Sequence, residues 1–181
     1  EAQNSVMPDK RAIRETVRDD ARALEALYPQ AFPDEDLLPL VRELMRDGDI
    51  ATSLAATVDS EIVGHVIFSK CGVAGSDVEA ALLGPLAVAP AWQRRGVGSA
   101  LVREGLQGQR DNGVDLVCVL GDPAYYHRHG FEPETLIEPP YPLPAEWTGA
   151  WQSRCLSDTK APCAGKLAVP PQWLQPVLWA P

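Results

Sequence analysis

Two short stretches carry residue types that could do chemistry. The first is Gln93-Arg94-Arg95-Gly96-Val97-Gly98-Ser99, which follows an apolar run at residues 80–89. Glycine lets the backbone approach a ligand and adopt positive φ. The first N–H groups of a helix have no internal partner and together carry about half a positive charge. A turn of this kind opening a helix can seat a diphosphate. Arg94 and Arg95 add charge beside it. Two other phosphate loops are set aside. There is no GxxxxGK[ST], and GxGxxG fails because Leu101 stands where its third glycine belongs. Taken alone, the glycine pair equally marks an ordinary strand–turn–helix.

The second stretch is Leu120-Gly121-Asp122-Pro123-Ala124-Tyr125-Tyr126-His127-Arg128-His129-Gly130-Phe131. Tyrosine is a usable acid, with a reference pKa of about 10 against about 8.5 for a thiol. Protonating a departing thiolate from it costs only about 2 kcal/mol in solution. Tyr125 reads better as a packing residue. His127 and His129 read as surface or supporting groups, because no Cys/His cluster suggests a metal site. Pro85 is a third clue. Proline lacks a ladder donor and is kept out of central strands, yet residues 80–89 are apolar enough to be central. A strand that splays from its neighbour here resolves the conflict. It would free backbone groups to pair with an extended, amide-bearing ligand arm.

These stretches need a frame. Residues 12–16 read as a first strand. A helix follows, capped by Asp19 or Asp20, running through Leu24, Leu27 and Tyr28 and limited by Pro29 and Pro33. Asp34-Glu35-Asp36 should start a second helix that stops near Gly48. Residues 53–58 and 62–69 read as strands around a turn at Asp59-Ser60-Glu61. Residues 80–89 form a strand covered on both faces. Residues 96–110 form a helix on which Gly105 permits close approach to a sheet. Residues 115–120 form a second buried strand, and 123–129 a short helix. Strand–helix–strand–helix implies parallel neighbours with a right-handed crossover. The tail is rich in proline and tryptophan, with two irregular strands expected near 150–156 and 164–169. Residues 1–10 read as a frayed end. The expectation is one domain over 1–181, with a core at 12–133 and an extension at 134–181 packed on it.

The whole chain of 181 residues has 16 basic and 25 acidic side chains, a formal charge of -9. That argues against a partner held by phosphate neutralisation, hence no nucleic acid, and against an anionic membrane surface. No apolar run approaches the roughly 18 residues of a membrane span. The first residues lack the basic and apolar segments of a signal peptide, and the missing initiator Met suggests trimming. Cys71, Cys118, Cys155 and Cys163 form no CxxC pair, which reads as reduced thiols in the cytoplasm. A Cys155–Cys163 bridge is the minor alternative.

Together the motifs resemble the GNAT acetyltransferase superfamily. Leu86-Ala87-Val88-Ala89-Pro90 with Gln93-Arg94-Arg95-Gly96-Val97-Gly98 is similar to its [QR]xxGx[GA] acetyl-CoA motif, and Tyr126-His127-Arg128-His129-Gly130-Phe131 to its Y-x-[KR]-x-G-F pattern. The likeness spans roughly 80–133, extends over 12–70 and is similar to a YhbS-like bacterial branch. It implies an α/β fold of the α+β type: a twisted mixed sheet of about six to seven strands with helices on both faces. It implies acetyl-CoA as cosubstrate and no metal. The cofactor would enter a V-shaped gap between the strands holding Val88 and Val117. Leu86, Ala87 and Val88 would line its arm, and Arg94, Arg95, Gly96, Val97, Gly98 and Ser99 its diphosphate. Tyr126 would be the general acid. Asp122 departs from the Asn common in the family and is expected to cap the short helix.

One role stays unassigned. An alkyl ammonium has a pKa near 10.4, so a neutral amine at pH 7 costs about 4.6 kcal/mol and a base should help. The candidates are Glu79, Glu35, His65 and water, with His65 better explained as a satisfied core residue. The leading expectation is an N-acetyltransferase acting on a primary amine of a small molecule or peptide. The alternatives are a non-catalytic acyl-CoA-binding module, or transfer of another acyl group or to a hydroxyl. The tail tryptophans look exposed in sequence and would suit a homodimer.

Overall fold

The computed structural model describes residues 10–158 and 163–180. The frayed end expected at 1–10 falls outside these residues except for Lys10. Thirteen elements position the site. They are β1 (Arg11–Glu15), α1 (Ala21–Ala31), α2 (Leu38–Met45), β2 (Ala51–Val58), β3 (Glu61–Val73), β4 (Ala80–Val88), α3 (Val97–Asp111), β5 (Leu116–Leu120), α4 (Pro123–His127), β6 (Glu132–Pro133), β7 (Ile137–Glu138), β8 (Trp151–Cys155) and β9 (Gly165–Ala168). Among the described residues the sheet order is β1-β2-β3-β4-β5-β8-β6, with β7 and β9 paired beside β3. Only β4 and β5 within that order are parallel, joined by α3 as the crossover. This is the expected mixed sheet.

Helices cover both faces. On one face Leu24, Leu27 and Tyr28 of α1 and Leu40, Val41 and Leu44 of α2 meet Ile67 and Leu82. On the other, Val97, Leu101 and Leu106 of α3 meet Val66, Phe68 and Val117. Strand β4 alternates between the two clusters, Leu82 to one and Leu83 to the other, which explains its unbroken apolar run. The tail tryptophans are not an exposed patch. Trp151, Trp173 and Trp179 are all buried and pack against each other and the α1–α2 face. Buried in this way, these three rings offer no surface on which a homodimer could pair.

Two helix boundaries differ from expectation. Helix α1 continues through Pro29 to Ala31. Proline removes one backbone donor, but the burial of Leu24, Leu27 and Tyr28 holds the turn, and Phe32 N–H donates to Tyr28 O at 2.8 Å. Helix α2 begins at Leu38 instead of at the acidic trio. Pro39 is tolerated only in a first turn, so it fixes the start there. Asp34, Glu35 and Asp36 are thereby left in a loop.

His65 on β3 is fully buried. Its Nδ1 hydrogen-bonds the Tyr28 hydroxyl at 2.6 Å and its Nε2 the Ser53 hydroxyl at 2.7 Å. Burial holds the imidazole down at about 4, against 6.5 for the free group. The unfolded chain takes up a proton as pH falls through 6.5, while the folded chain resists until near 4. Stability is complete above 6.5 and declines across that window, by up to about 3 kcal/mol. Urea midpoints should therefore fall more between pH 7 and pH 4.5 for the native chain than for His65→Gln. Parallel declines would show that His65 does not titrate in this way.

Candidate active site

The ladder between β4 and β5 runs from Ala80/Leu116 to Leu83/Val119 and stops there. Strand β4 continues to Val88, so the two strands part within the sheet. The departure coincides with a bulge. Val66 faces Leu86 and Phe68 faces Leu83, so Gly84 and Pro85 together oppose Ile67. Proline is accommodated in a central strand because the strand has stopped pairing on one side.

Backbone direction beyond the bulge follows from alternation. Ala89 N–H donates to Val63 O on β3, so Ala87 turns its polar groups the same way. Leu86 and Val88 present theirs to the gap. The side-chain amide of Gln93 donates to Val88 O at 3.1 Å, which fits that direction.

The Arg94–Ser99 turn lies at the mouth of the gap. Arg94 and Gly96 both have positive φ, 62° and 82°. Gly96 leads directly into α3. Leu86, Val88, Arg94, Gly96, Gly98 and Ser99 line a groove of about 590 Å³ here. Gly98 has no room for a side chain, since a Cβ would fall 2.6 Å from the Tyr125 hydroxyl. Arg95 does not join the groove. Its guanidinium lies 5.1 Å from the Trp92 ring centre, and its carbonyl accepts a hydrogen bond from Arg11. The Val97 side chain is buried in the core.

Tyr125 is more than packing. It lines the groove together with Ser99, and Arg128 lies 4.9 Å from its ring centre. The sequence reading missed it because the signal, its spacing from a glycine on another helix, exists only in three dimensions.

A larger cavity of about 720 Å³ adjoins the groove, sharing Phe32 and Leu86 with it. Gly84, Pro85 and Leu120 mark where the strands part, and Tyr126 lines its wall. Asp122 caps α4, accepting from Ala124 N–H at 3.0 Å, and Tyr126 N–H closes the turn on Asp122 O. The Tyr126 ring packs edge-on to Tyr125 and Phe131. Burial pushes its hydroxyl well above the ordinary tyrosine range, with Tyr125 and Asp122 adding to the rise. It keeps its proton at any physiological pH. A thiolate in the same dry gap would be raised by the same desolvation, so the difference between the two matters more than either value.

The three base candidates separate cleanly. Glu79 lies at the far end of β4, where its N–H donates to Asp115. His65 is sealed in the core. Glu35 lines the large cavity with Asp34, Asp36 and Asp122, and among the described residues no lysine, arginine or histidine joins them. Trp147, Trp173 and Trp179 line the same cavity. The described residues contain no group of three or more His, Cys, Asp or Glu arranged to hold a metal. None of their helices is long and apolar enough to cross a membrane.

Residues 49–133 match the family model described as the acetyltransferase (GNAT) domain. The chain is 35% identical over 150 residues to a protein of Escherichia coli K12 named as the uncharacterized N-acetyltransferase YjhQ, covering 78% of this chain and 82% of that one. The chain belongs to the GNAT family of N-acetyltransferases. Its particular likeness is to YhbS of Escherichia coli, whose crystal structure in complex with CoA superposes with a TM-score of 0.85 at 28% identity, covering 96% of this chain and 97% of that one. A GNAT acetyltransferase from Brucella melitensis in complex with acetyl-CoA gives a TM-score of 0.72 at 28% identity, covering 91% and 98%.

Proposed function

We propose that this enzyme transfers an acetyl group from acetyl-CoA to the primary amine of a cationic small molecule or peptide, by direct attack in a ternary complex. The observation that carries this reading is the internal parting of β4 and β5 after Leu83/Val119, which connects a helix N-terminus to a cavity containing Tyr126. The pantetheine amides pair with Leu86 and Val88, completing the interrupted ladder as an added strand would. Amides of the turn from Arg94 to Ser99 and the Arg94 guanidinium hold the diphosphate. The amine nitrogen attacks the thioester carbonyl, the C–S bond breaks, and Tyr126 gives its proton to the departing sulfur. Glu35, acting through water, takes the proton lost by the amine.

The acceptor class follows from the cavity. Four carboxylates and three indole rings favour a cation with a flat or apolar body. Four unbridged cysteines support a reducing, cytoplasmic setting. Free CoA release with a panel of amines tests the reading. Aromatic and aliphatic amines without a carboxylate should turn over at least about tenfold faster than amino acids that carry one. If acetyl-CoA binds but no amine, including peptide N-termini, accelerates thiol release, the chain is a coenzyme-binding module instead.

A further inference from the structure

A second cavity of about 590 Å³ lies on the other side of the α3 N-terminus. One face of α3 supplies Ser99, Arg103 and Arg110 to it. The turn after α4 supplies Arg128 and His129, and β8 supplies Arg154. Among the described residues no Asp or Glu lines it. Among the described residues none of these four arginines takes part in an ion pair. Arg154 donates to the His129 carbonyl at 2.7 Å, and Arg128 rests on Tyr125. In a chain of net charge -9, four uncompensated guanidinium groups around one space call for an anion.

His129 supplies an independent observation. Its residue is 9% exposed, and its Nε2 is buried without a hydrogen-bond partner. Arg128, Arg103 and Arg154 lie near enough to disfavour its protonation, after burial itself. A buried unpartnered ring nitrogen costs free energy unless a ligand or water meets it.

Ser99 and Arg128 line both this cavity and the diphosphate groove, so the two are adjacent. Arg103 lies one helical turn beyond Ser99, about 6 Å along α3. That step matches a ribose whose 5′ oxygen carries the diphosphate and whose 3′ oxygen carries a second phosphate. We infer that Arg103, Arg128 and His129 form a seat for the 3′-phosphate of the coenzyme, with Arg110 and Arg154 flanking the adenosine. The seat makes the enzyme select phosphorylated coenzyme over its dephospho form. The inference rests on the acetyl-CoA reading above and names a determinant within it.

The test is calorimetric titration of CoA and of 3′-dephospho-CoA, which share the thiol, the pantetheine arm and the diphosphate. No acceptor is needed. The native chain should bind CoA about 10- to 100-fold more tightly than dephospho-CoA, the range for a hydrogen-bonded charged pair. Arg103→Ala, an exposed helix position where alanine favours the helix, should weaken CoA by most of that factor and leave dephospho-CoA unchanged. Equal affinity of the native chain for the two ligands, or equal weakening of both by Arg103→Ala, overturns the seat while leaving the transferase reading intact. Failure of both ligands to bind overturns both.

Discussion

Tyr126→Phe should lower kcat by about 100-fold or more while KM for acetyl-CoA stays within about threefold. The substitution removes one oxygen and keeps the ring. Its contacts with Tyr125 and Phe131 survive, and so does the backbone turn closed on Asp122. A folding defect would not explain the loss. Thiol release at saturating acetyl-CoA reads the effect, and a thermal melt checks that the fold is retained. Because burial holds the hydroxyl protonated, the native rate should show no downward limb from Tyr126 ionisation below pH 10. A variant as active as the native chain would remove Tyr126 from proton transfer.

Gly105→Ala should destabilise the fold by about 2 kcal/mol, despite alanine being the better helix former by about 1 kcal/mol. Helix α3 lies on β3 so closely that a Cβ at this position would fall 2.1 Å from one carbon of the Phe68 ring and 2.4 Å from another. Phe68 is 1% exposed and enclosed by the α3-side core, so its ring has little freedom to retreat. A drop in Tm of roughly 4–8 °C is expected for a chain of this size. Phe68→Leu in the Gly105→Ala background should recover part of the loss, and the double-mutant cycle should show coupling between the two positions. Additive effects would mean that the contact is not what limits the position.

The contrast between these two sites shows what could be read in advance. The positions of Gly105 and Tyr126 were legible because each sits in a local pattern: a small residue on the apolar face of a helix, and a tyrosine in a short motif behind a buried strand. Pro85 was legible for the opposite reason, since it broke the rule for a central strand and forced a splay. The catalytic surroundings were less so. Glu79 and Glu35 look alike in sequence, and only the pairing of β4 with β5 sends one to the far end of the sheet and leaves the other at the cavity. The acidic trio read as a helix start because charge favours that position, but Pro39 overruled it from three residues further on. The buried tryptophans depended on where a proline-rich tail would lie, which no short-range rule specifies. The arginine pocket was invisible because its members come from α3, the α4 turn and β8, and converge only when the crossover is complete.

The interrupted ladder has one more consequence. A strand with free polar groups in the middle of a sheet invites the wrong guest as readily as the right one, since any extended polypeptide could zip onto it. This opening is guarded by its own construction. The bulge at Gly84 and Pro85 sets the strand out of step, and Pro85 offers no N–H, so an intruding strand would lose its register at its second or third bond. A slender chain with two amides spaced along a flexible arm, bound as proposed above, would need only Leu86 and Val88 and would not meet the fault. On the proposed coenzyme reading, the irregularity that opens the sheet would also guard it, suiting a short pantetheine-like guest better than a second protein strand.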